Sequence, residues 1–262
     1  MAKFAPVAPL AVHQTLDDSD DLGDYHLLLA HEVLEDPEGY FKFWHNRDAF
    51  IIMDNSLVEL GHPMEMRYLL EAAYLVNADV IVLPDVLTNR LRTLELSHKA
   101  YEELVAIRTT HYPGVINIFS RKVKTLGVAQ GTSSVDAFSC GRELIKSVGV
   151  DMISVPRIVA DKTGTRSWVV EQLSKYEKPL HLLGFSNNLL DDVTVARHPS
   201  VGGIDSALPI WVGNQGKMLP RQPPSQNAFG RRPKDYGSTE GITPVALGNV
   251  RRVRDWLQEP IA

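Results

Sequence analysis

The sequence predicts a single α/β domain of the (β/α)8-barrel type, and three observations carry that expectation. Seven short apolar runs recur along the 262 residues, each followed by a turn and an amphipathic stretch. The runs are apolar almost throughout and do not alternate, which is the pattern of a parallel strand covered on both faces. The chain length matches a barrel of ~250 residues. An open doubly wound sheet stays as the alternative, although no G-x-G-x-x-G follows the first run.

The runs are Tyr25–Ala30, Ala49–Met53, Val80–Leu83, Thr125–Ala129, Met152–Val155, Leu180–Leu183 and Val201–Ile204. Val115–Phe119 is a further apolar run, and no segment declares itself as the eighth strand. Between the runs, helical spacing places Met66, Leu69, Leu70 and Ala73 on one face, then Leu91, Leu94, His98, Tyr101 and Val105, then Val169, Val170, Leu173 and Tyr176. Ser134 is suited to cap a helix over Val135–Val148 closed by Gly149, and Asn187 or Asn188 a helix over Leu189–Arg197. Val245–Leu257 reads as a closing helix. Residues 1–22 read as a flexible N-terminal segment, 213–241 as a basic loop or insertion, and 1–262 as one domain.

Composition narrows the class. With 44% hydrophobic and 23% charged residues, 18 Gly and 16 Pro, the chain is neither disordered, collagen-like nor a coiled coil. No apolar run approaches the ~20 residues that span a bilayer. The N-terminus lacks a basic stretch followed by an apolar core, so the cytoplasm is the expected compartment. Cys140 stands alone, which excludes an internal disulfide and a cysteine-based zinc cluster.

Charge is unevenly spread. The net charge is −5, yet residues 211–262 hold eight Lys/Arg against four acids, leaving the body acidic and the C-terminal fifth basic. That asymmetry fits an enzyme meeting a polyanion on one face, and equally a basic tail without a partner.

In a barrel, chemistry sits where strands end. The second run ends in Asp54, the third leads to Asp85, the fourth to Gln130-Gly131, the sixth to Gly184 and the seventh to Asp205. Any one Asp here suits a helix cap or a turn. Three at one mouth repel one another unless a metal, a ligand or shared protons compensate. No His joins them at zinc spacing; a magnesium site built from carboxylates stays open. His181 lies inside an apolar run and reads as a packed core histidine, and Cys140 as a small buried residue. The polar stretch Asp161, Lys162, Gly164 and Thr165 suits either a phosphate or a simple turn.

These motifs, in order, resemble the tRNA-guanine transglycosylase superfamily. Asp54, Asp85, Gly127-Val128-Ala129-Gln130-Gly131, His181-Leu182-Leu183-Gly184 and Ile204-Asp205-Ser206-Ala207-Leu208-Pro209 stand where that family shows Asp-Ser-Gly-Gly-Phe, a strand-end Asp, Gly-Ile-Val-Gln-Gly, Tyr-Leu-Met-Gly and Phe-Asp-Cys-Val-Leu-Pro. The likeness spans roughly residues 49–216. It implies a (β/α)8 barrel that exchanges guanine in a nucleic acid for a 7-deazaguanine base. It implies Asp205 as nucleophile at the sugar C1′ and Asp54 as general acid/base, with Asp85, Gln130, Gly131 and Gly184 binding the base. The target base must leave its stack to reach such a mouth.

Two departures shape the expectation. The cysteine-ligated zinc subdomain of the tRNA enzymes is missing, since 213–241 contains no Cys, and Asp54-Asn55-Ser56-Leu57-Val58 lacks the paired glycines. The chain is also shorter than the typical tRNA enzymes, and this with the loss of zinc resembles the phage and bacterial branch that modifies DNA against restriction nucleases. The expectation is therefore a DNA-guanine transglycosylase needing no cofactor, acting in the host cytoplasm if phage-encoded. Its partners would be DNA, a 7-deazaguanine base and, as in relatives, a second copy of itself. Arg221, Arg231, Arg232, Lys234, Arg251 and Arg252 would contact phosphates. Three rivals stand beside it: a zinc-less tRNA-directed enzyme, a small-molecule barrel enzyme such as a glycosidase or metal-dependent lyase, and a catalytically silent barrel that only binds nucleic acid.

Overall fold

A computed structural model describes residues 1–109, 123–226, 229 and 241–259. Its eight strands are β1 (Lys3–Pro6), β2 (Tyr25–Leu29), β3 (Phe50–Asp54), β4 (Val80–Val82), β5 (Lys124–Val128), β6 (Met152–Pro156), β7 (Leu180–Leu183) and β8 (Val201–Ser206). All pairings are parallel, in the order β1-β8-β7-β6-β5-β4-β3-β2. β1 and β2, at the two ends of this order, are close neighbours, so the sheet curls into a nearly closed barrel with helices outside. The (β/α)8 expectation holds.

The eighth strand is at the front of the chain. Residues 1–22, read as flexible, instead supply β1 and a helix over Leu10–Asp18 that buries Leu10, Val12, His13 and Leu16. β1 runs beside β8 with Lys3 opposite Gly203 and Pro6 opposite Ser206. Four residues ending in proline carry too little pattern to read as a strand. Proline is tolerated there because it comes last, and Val7 N–H donates to Ser206 O in its stead at 3.2 Å. Val115–Phe119 lies outside the described residues.

Side chains with period two fill the interior. Tyr25, Phe50 and His181 meet inside: the Tyr25 and Phe50 rings stack at 5.3 Å, and Tyr25 and His181 lie 5.9 Å apart. Two or four residues further along the same strands stand Leu29, Asp54 and Leu183, at the C-terminal mouth. The alternation that builds the core therefore delivers polar groups to one end.

The helix Arg90–Thr109 turns a different face inward from the one its apolar spacing suggests. Leu91 is 70% exposed and His98 and Val105 are exposed, while Thr93, Ser97, Ala100 and Leu104 are buried, with Leu94 and Tyr101 at the margin. Hydroxyls explain the choice. Thr93 Oγ1 accepts from Val86 N–H at 2.9 Å and donates to Val86 O, and Ser97 Oγ donates to Pro84 O at 3.1 Å. These bonds brace the backbone on both sides of Asp85.

Caps fall where expected within one residue. Ser133, not Ser134, accepts from Asp136 N–H at the start of Ser134–Glu143, and Asn188 caps Leu189–Ala196. Among the described residues no helix is long and apolar enough to cross a membrane.

Candidate active site

One cavity of about 470 Å³ opens at the C-terminal mouth, and Asp54, Asp85, Gln130, Gly184 and Asp205 all line it. β3, β4, β5, β7 and β8 thus bring five of the residues singled out from sequence to a single site. Gly131 does something else: a Cβ there would come within 2.4 Å of Ala137 N, so it lets the loop pack on the helix Ser134–Glu143.

Asp85 is gripped by two carboxamides. Asn55 Nδ2 donates to one of its oxygens at 2.7 Å and Gln130 Nε2 to the other at 2.7 Å. Both amides are themselves oriented. Asn55 Oδ1 accepts from Leu57 N–H and Gln130 Oε1 from Thr88 N–H, which turns each NH2 toward the carboxyl. Burial raises the Asp85 pKa to about 6, against the pull of the Asn55 and Gln130 hydrogen bonds.

Asp54 sits at the end of β3 in an unusual turn. Its Oδ2 accepts from Ser56 N–H at 2.8 Å, and Ser56 adopts a left-handed conformation at φ 57°. Thr88, whose N–H holds Gln130, is left-handed as well at φ 60°. Such backbone costs of order 1–3 kcal/mol per residue and concentrates at functional sites. Burial, and then the neighbouring Glu59, hold the Asp54 carboxyl well above the usual carboxylate range. Asp85 and Asp205 push the same way. Asp54 therefore favours its protonated form.

Asp205 is held by two neighbours on one oxygen. Its Oδ1 lies 2.9 Å from His181 Nε2 and accepts from Gly184 N–H at 3.2 Å. Gly184 holds φ 70°, and a Cβ there would stand 3.3 Å from Arg157 Cδ, so glycine serves both the turn and the Arg157 stem lying over it. Arg157, Glu59 and Asp161 also line the cavity.

Behind β6 and β7 a buried ion pair locks this rim. Arg166 NH2 meets Asp192 Oδ1 at 2.5 Å, both side chains fully enclosed. The guanidinium donates to Val155 O at 3.1 Å and Leu183 O at 3.4 Å, while Asp192 Oδ2 accepts from Ser186 N–H at 2.5 Å. Both strand ends and the loop after Gly184 are tied to one cluster.

Among the described residues, Arg251 lies away from the mouth. Arg251 binds Asp21 through Nε and NH2 at 2.5–3.0 Å, in the loop that enters the N-terminal end of β2 and hence on the side of the barrel opposite the cavity. Arg252 is on the same helix, Pro244–Gln258, and the Arg221 carbonyl accepts from Trp256 Nε1 near that helix's end. Arg231, Arg232 and Lys234 lie outside the described residues. Cys140 is buried with its thiol pushed up to about 12, chiefly by burial.

Besides Glu59 and Arg157 on the cavity wall, sequence reasoning missed three residues that hold its carboxyls in place. Asn55 follows the strand-end Asp54 and reads as turn chemistry; Tyr25 opens the first apolar run; His181 reads as core, and is core, but also bonds Asp205. Among the described residues no group of three or more His, Cys, Asp and Glu is placed to hold a metal ion. No protein-family model and no curated protein matches the chain.

Proposed function

We propose that the protein is a guanine transglycosylase that exchanges a guanine in DNA for a 7-deazaguanine base through a covalent Asp205 intermediate. The observation that carries this reading is the contrast between two carboxyls on one cavity. Asp54 is held toward its acid form, while Oδ1 of Asp205 is fixed by the Gly184 N–H and by contact with His181 Nε2. Such a pair suits retaining transfer at an anomeric carbon, where one carboxylate attacks and the other handles protons.

In the first half-reaction an Asp205 oxygen bonds to C1′ as the C1′–N9 bond breaks. The bonding electrons leave on the purine, which takes a proton from Asp54. In the second, Asp54 takes the N9 proton of the incoming base, N9 attacks C1′, and the Asp205 carboxylate is released. Asp85, clamped between Asn55 and Gln130, offers acceptor oxygens suited to the N–H edge of a guanine-like base. A cavity of about 470 Å³ suits one extruded base. The cysteine-free 213–241 segment favours DNA over tRNA as the polymer, and defence of a phage genome against restriction as the role.

Covalent trapping tests the reading. Wild type and Asp205→Asn are incubated with guanine-containing DNA and, in parallel, with tRNA, and resolved on denaturing gels. A DNA adduct that vanishes in the variant is expected. An adduct with tRNA alone reassigns the polymer, and no adduct with either overturns the enzymatic reading in favour of a silent barrel.

A further inference from the structure

We infer that Tyr25 and His181 form a buried positioning relay that holds Oδ1 of Asp205 and thereby presents Oδ2 to the cavity as the bond-forming oxygen. The inference rests on the transglycosylase reading for its chemistry, but its geometry stands apart. Tyr25 OH lies 2.8 Å from His181 Nδ1, and His181 Nε2 lies 2.9 Å from Asp205 Oδ1. The imidazole is fully enclosed and Tyr25 is only 6% exposed, so bulk water does not compete for these bonds. Neither side chain lines the cavity. They act through Asp205 and not on substrate.

The direction of the chain follows from proton inventory. Burial, reinforced by the Asp205 charge, raises the Tyr25 phenol far above its ordinary range, so it stays a donor. It donates to Nδ1. An imidazole that accepts at Nδ1 holds its proton on Nε2, aimed at Oδ1. Gly184 N–H adds a second donor to the same oxygen. With Oδ1 held twice, Oδ2 is the oxygen that meets C1′.

The relay then serves both half-reactions. When Oδ2 bonds to C1′, the carboxylate becomes an ester and Oδ1 its carbonyl oxygen, still facing both donors. When the incoming base displaces Asp205, negative charge returns to the carboxylate with those donors already placed. No solvent has to reorganise around it.

Its position is set by the fold. Tyr25 is on β2 and Asp205 on β8, and the ring bridges them because residue 203 has no side chain: a Cβ there would come within 2.7 Å of the Tyr25 hydroxyl. His181 on β7 receives the phenol from one side and reaches Asp205 from the other.

Single-turnover trapping of guanine-containing DNA, with parallel nitrogen-15 NMR of the histidine ring, tests the relay. His181→Phe is expected to slow adduct formation about 100-fold or more with little change in the DNA concentration giving half-maximal rate, as loss of a placed donor does. His181→Gln, which keeps a donor for Oδ1, recovers most of that rate, and Tyr25→Phe falls between. The wild-type spectrum shows His181 protonated at Nε2 and bare at Nδ1, and Tyr25→Phe perturbs the Nδ1 signal. A folded His181→Phe that traps DNA at the wild-type rate overturns the relay. So does a spectrum with the proton on Nδ1, which remains decisive if His181→Phe does not fold. A wild type that traps nothing but shows the Nε2 tautomer overturns the transglycosylase reading and leaves the relay geometry standing.

Discussion

The ring of Tyr25 packs on the backbone of Gly203 so closely that a Cβ at 203 would stand 2.5 Å from the ring's Cε1. Close approach, not backbone conformation, is what demands glycine in the middle of this strand. Gly203→Ala must therefore displace the ring and separate its hydroxyl from His181. The expected cost is about 1–3 kcal/mol, as for other overpacked cores, measured by urea unfolding. Trapping should slow to the level of Tyr25→Phe. Gly202→Ala is the control, because the nearest atom to its Cβ is Leu180 O at 3.8 Å. An unaltered trapping rate in Gly203→Ala would show that the ring's seat is immaterial.

Asp85 gives a pH dependence with a definite sign. Its folded pKa of about 6 lies above the ordinary value of 3.8, so the folded state holds this proton more tightly than the unfolded chain. Its contribution is best below pH 4 and is lost as pH rises through 6, by about 3 kcal/mol for a two-unit shift. Asp85→Asn removes the titration while keeping the shape. The stability gap between wild type and variant should move in the variant's favour by about 2–3 kcal/mol between pH 4 and pH 8. A gap independent of pH would mean that Asp85 is ionised in the fold as easily as in the unfolded chain.

The rim cluster predicts a loss and its repair. Arg166→Met leaves Asp192 buried without its cation, on a carboxyl that burial already pushes upward. Removing one partner of such a pair costs about 3–5 kcal/mol, whereas replacing both with apolar groups is often neutral. Arg166→Met should therefore be severely destabilised, and Arg166→Met with Asp192→Leu should regain most of that stability in chemical unfolding. A double variant as unstable as the single one would show that the bonds to Val155 O and Leu183 O, not the charge pairing, carry the cluster.

What the sequence discloses here follows pattern length. Strands β2 to β8 are bounded by turn residues and stand out, and the polar residues closing them are legible because a parallel strand has only one polar end at the mouth. β1 is four residues long and hides in a proline-containing lead-in. The inward face of Arg90–Thr109 is hidden for another reason: Thr93 and Ser97 are buried by hydrogen bonds to the Asp85 loop, which apolar periodicity does not register. His181 shows the limit most clearly. Its burial is readable from Leu180–Leu183, but its bond to Asp205 spans 24 residues and depends on two strands lying side by side. The Arg166–Asp192 pair is equally non-local.

Two imidazoles packed around Trp44 are expected to cost the fold stability in acid. His13 and His26 have ring centroids 5.2 and 4.6 Å from Trp44. Burial lowers their pKa values to about 3 and about 4, the His13–His26 repulsion adding to the former. A group depressed in this way binds protons better in the unfolded chain, so stability present above pH 6.5 is lost as pH falls toward 4. At pH 5 the loss is about 2 kcal/mol for each imidazole. This opposes the Asp85 effect, and the two separate by substitution: His13→Leu should lose less stability between pH 7.5 and pH 5 than wild type does. Equal losses would place the acid sensitivity elsewhere.

Charge near the C-terminus divides into two sets with different expected readouts. Arg251 is committed to Asp21 at the barrel end opposite the cavity, and Arg254 NH2 donates to Leu22 O beside it. Guanidinium groups so placed tie the helix Pro244–Gln258 to the entry of β2. Arg231 and Arg232 belong to the basic 213–241 segment. Phosphate contacts appear as a slope of log affinity against log salt, each contact adding about 0.9 for duplex DNA. Arg231→Ala with Arg232→Ala should therefore weaken DNA binding and lower that slope by about 2, while Arg251→Ala leaves both unchanged. If the Arg231 and Arg232 variant keeps the wild-type slope, the basic segment is a solvated surface and the DNA path must run over other cations at the mouth, beginning with Arg157.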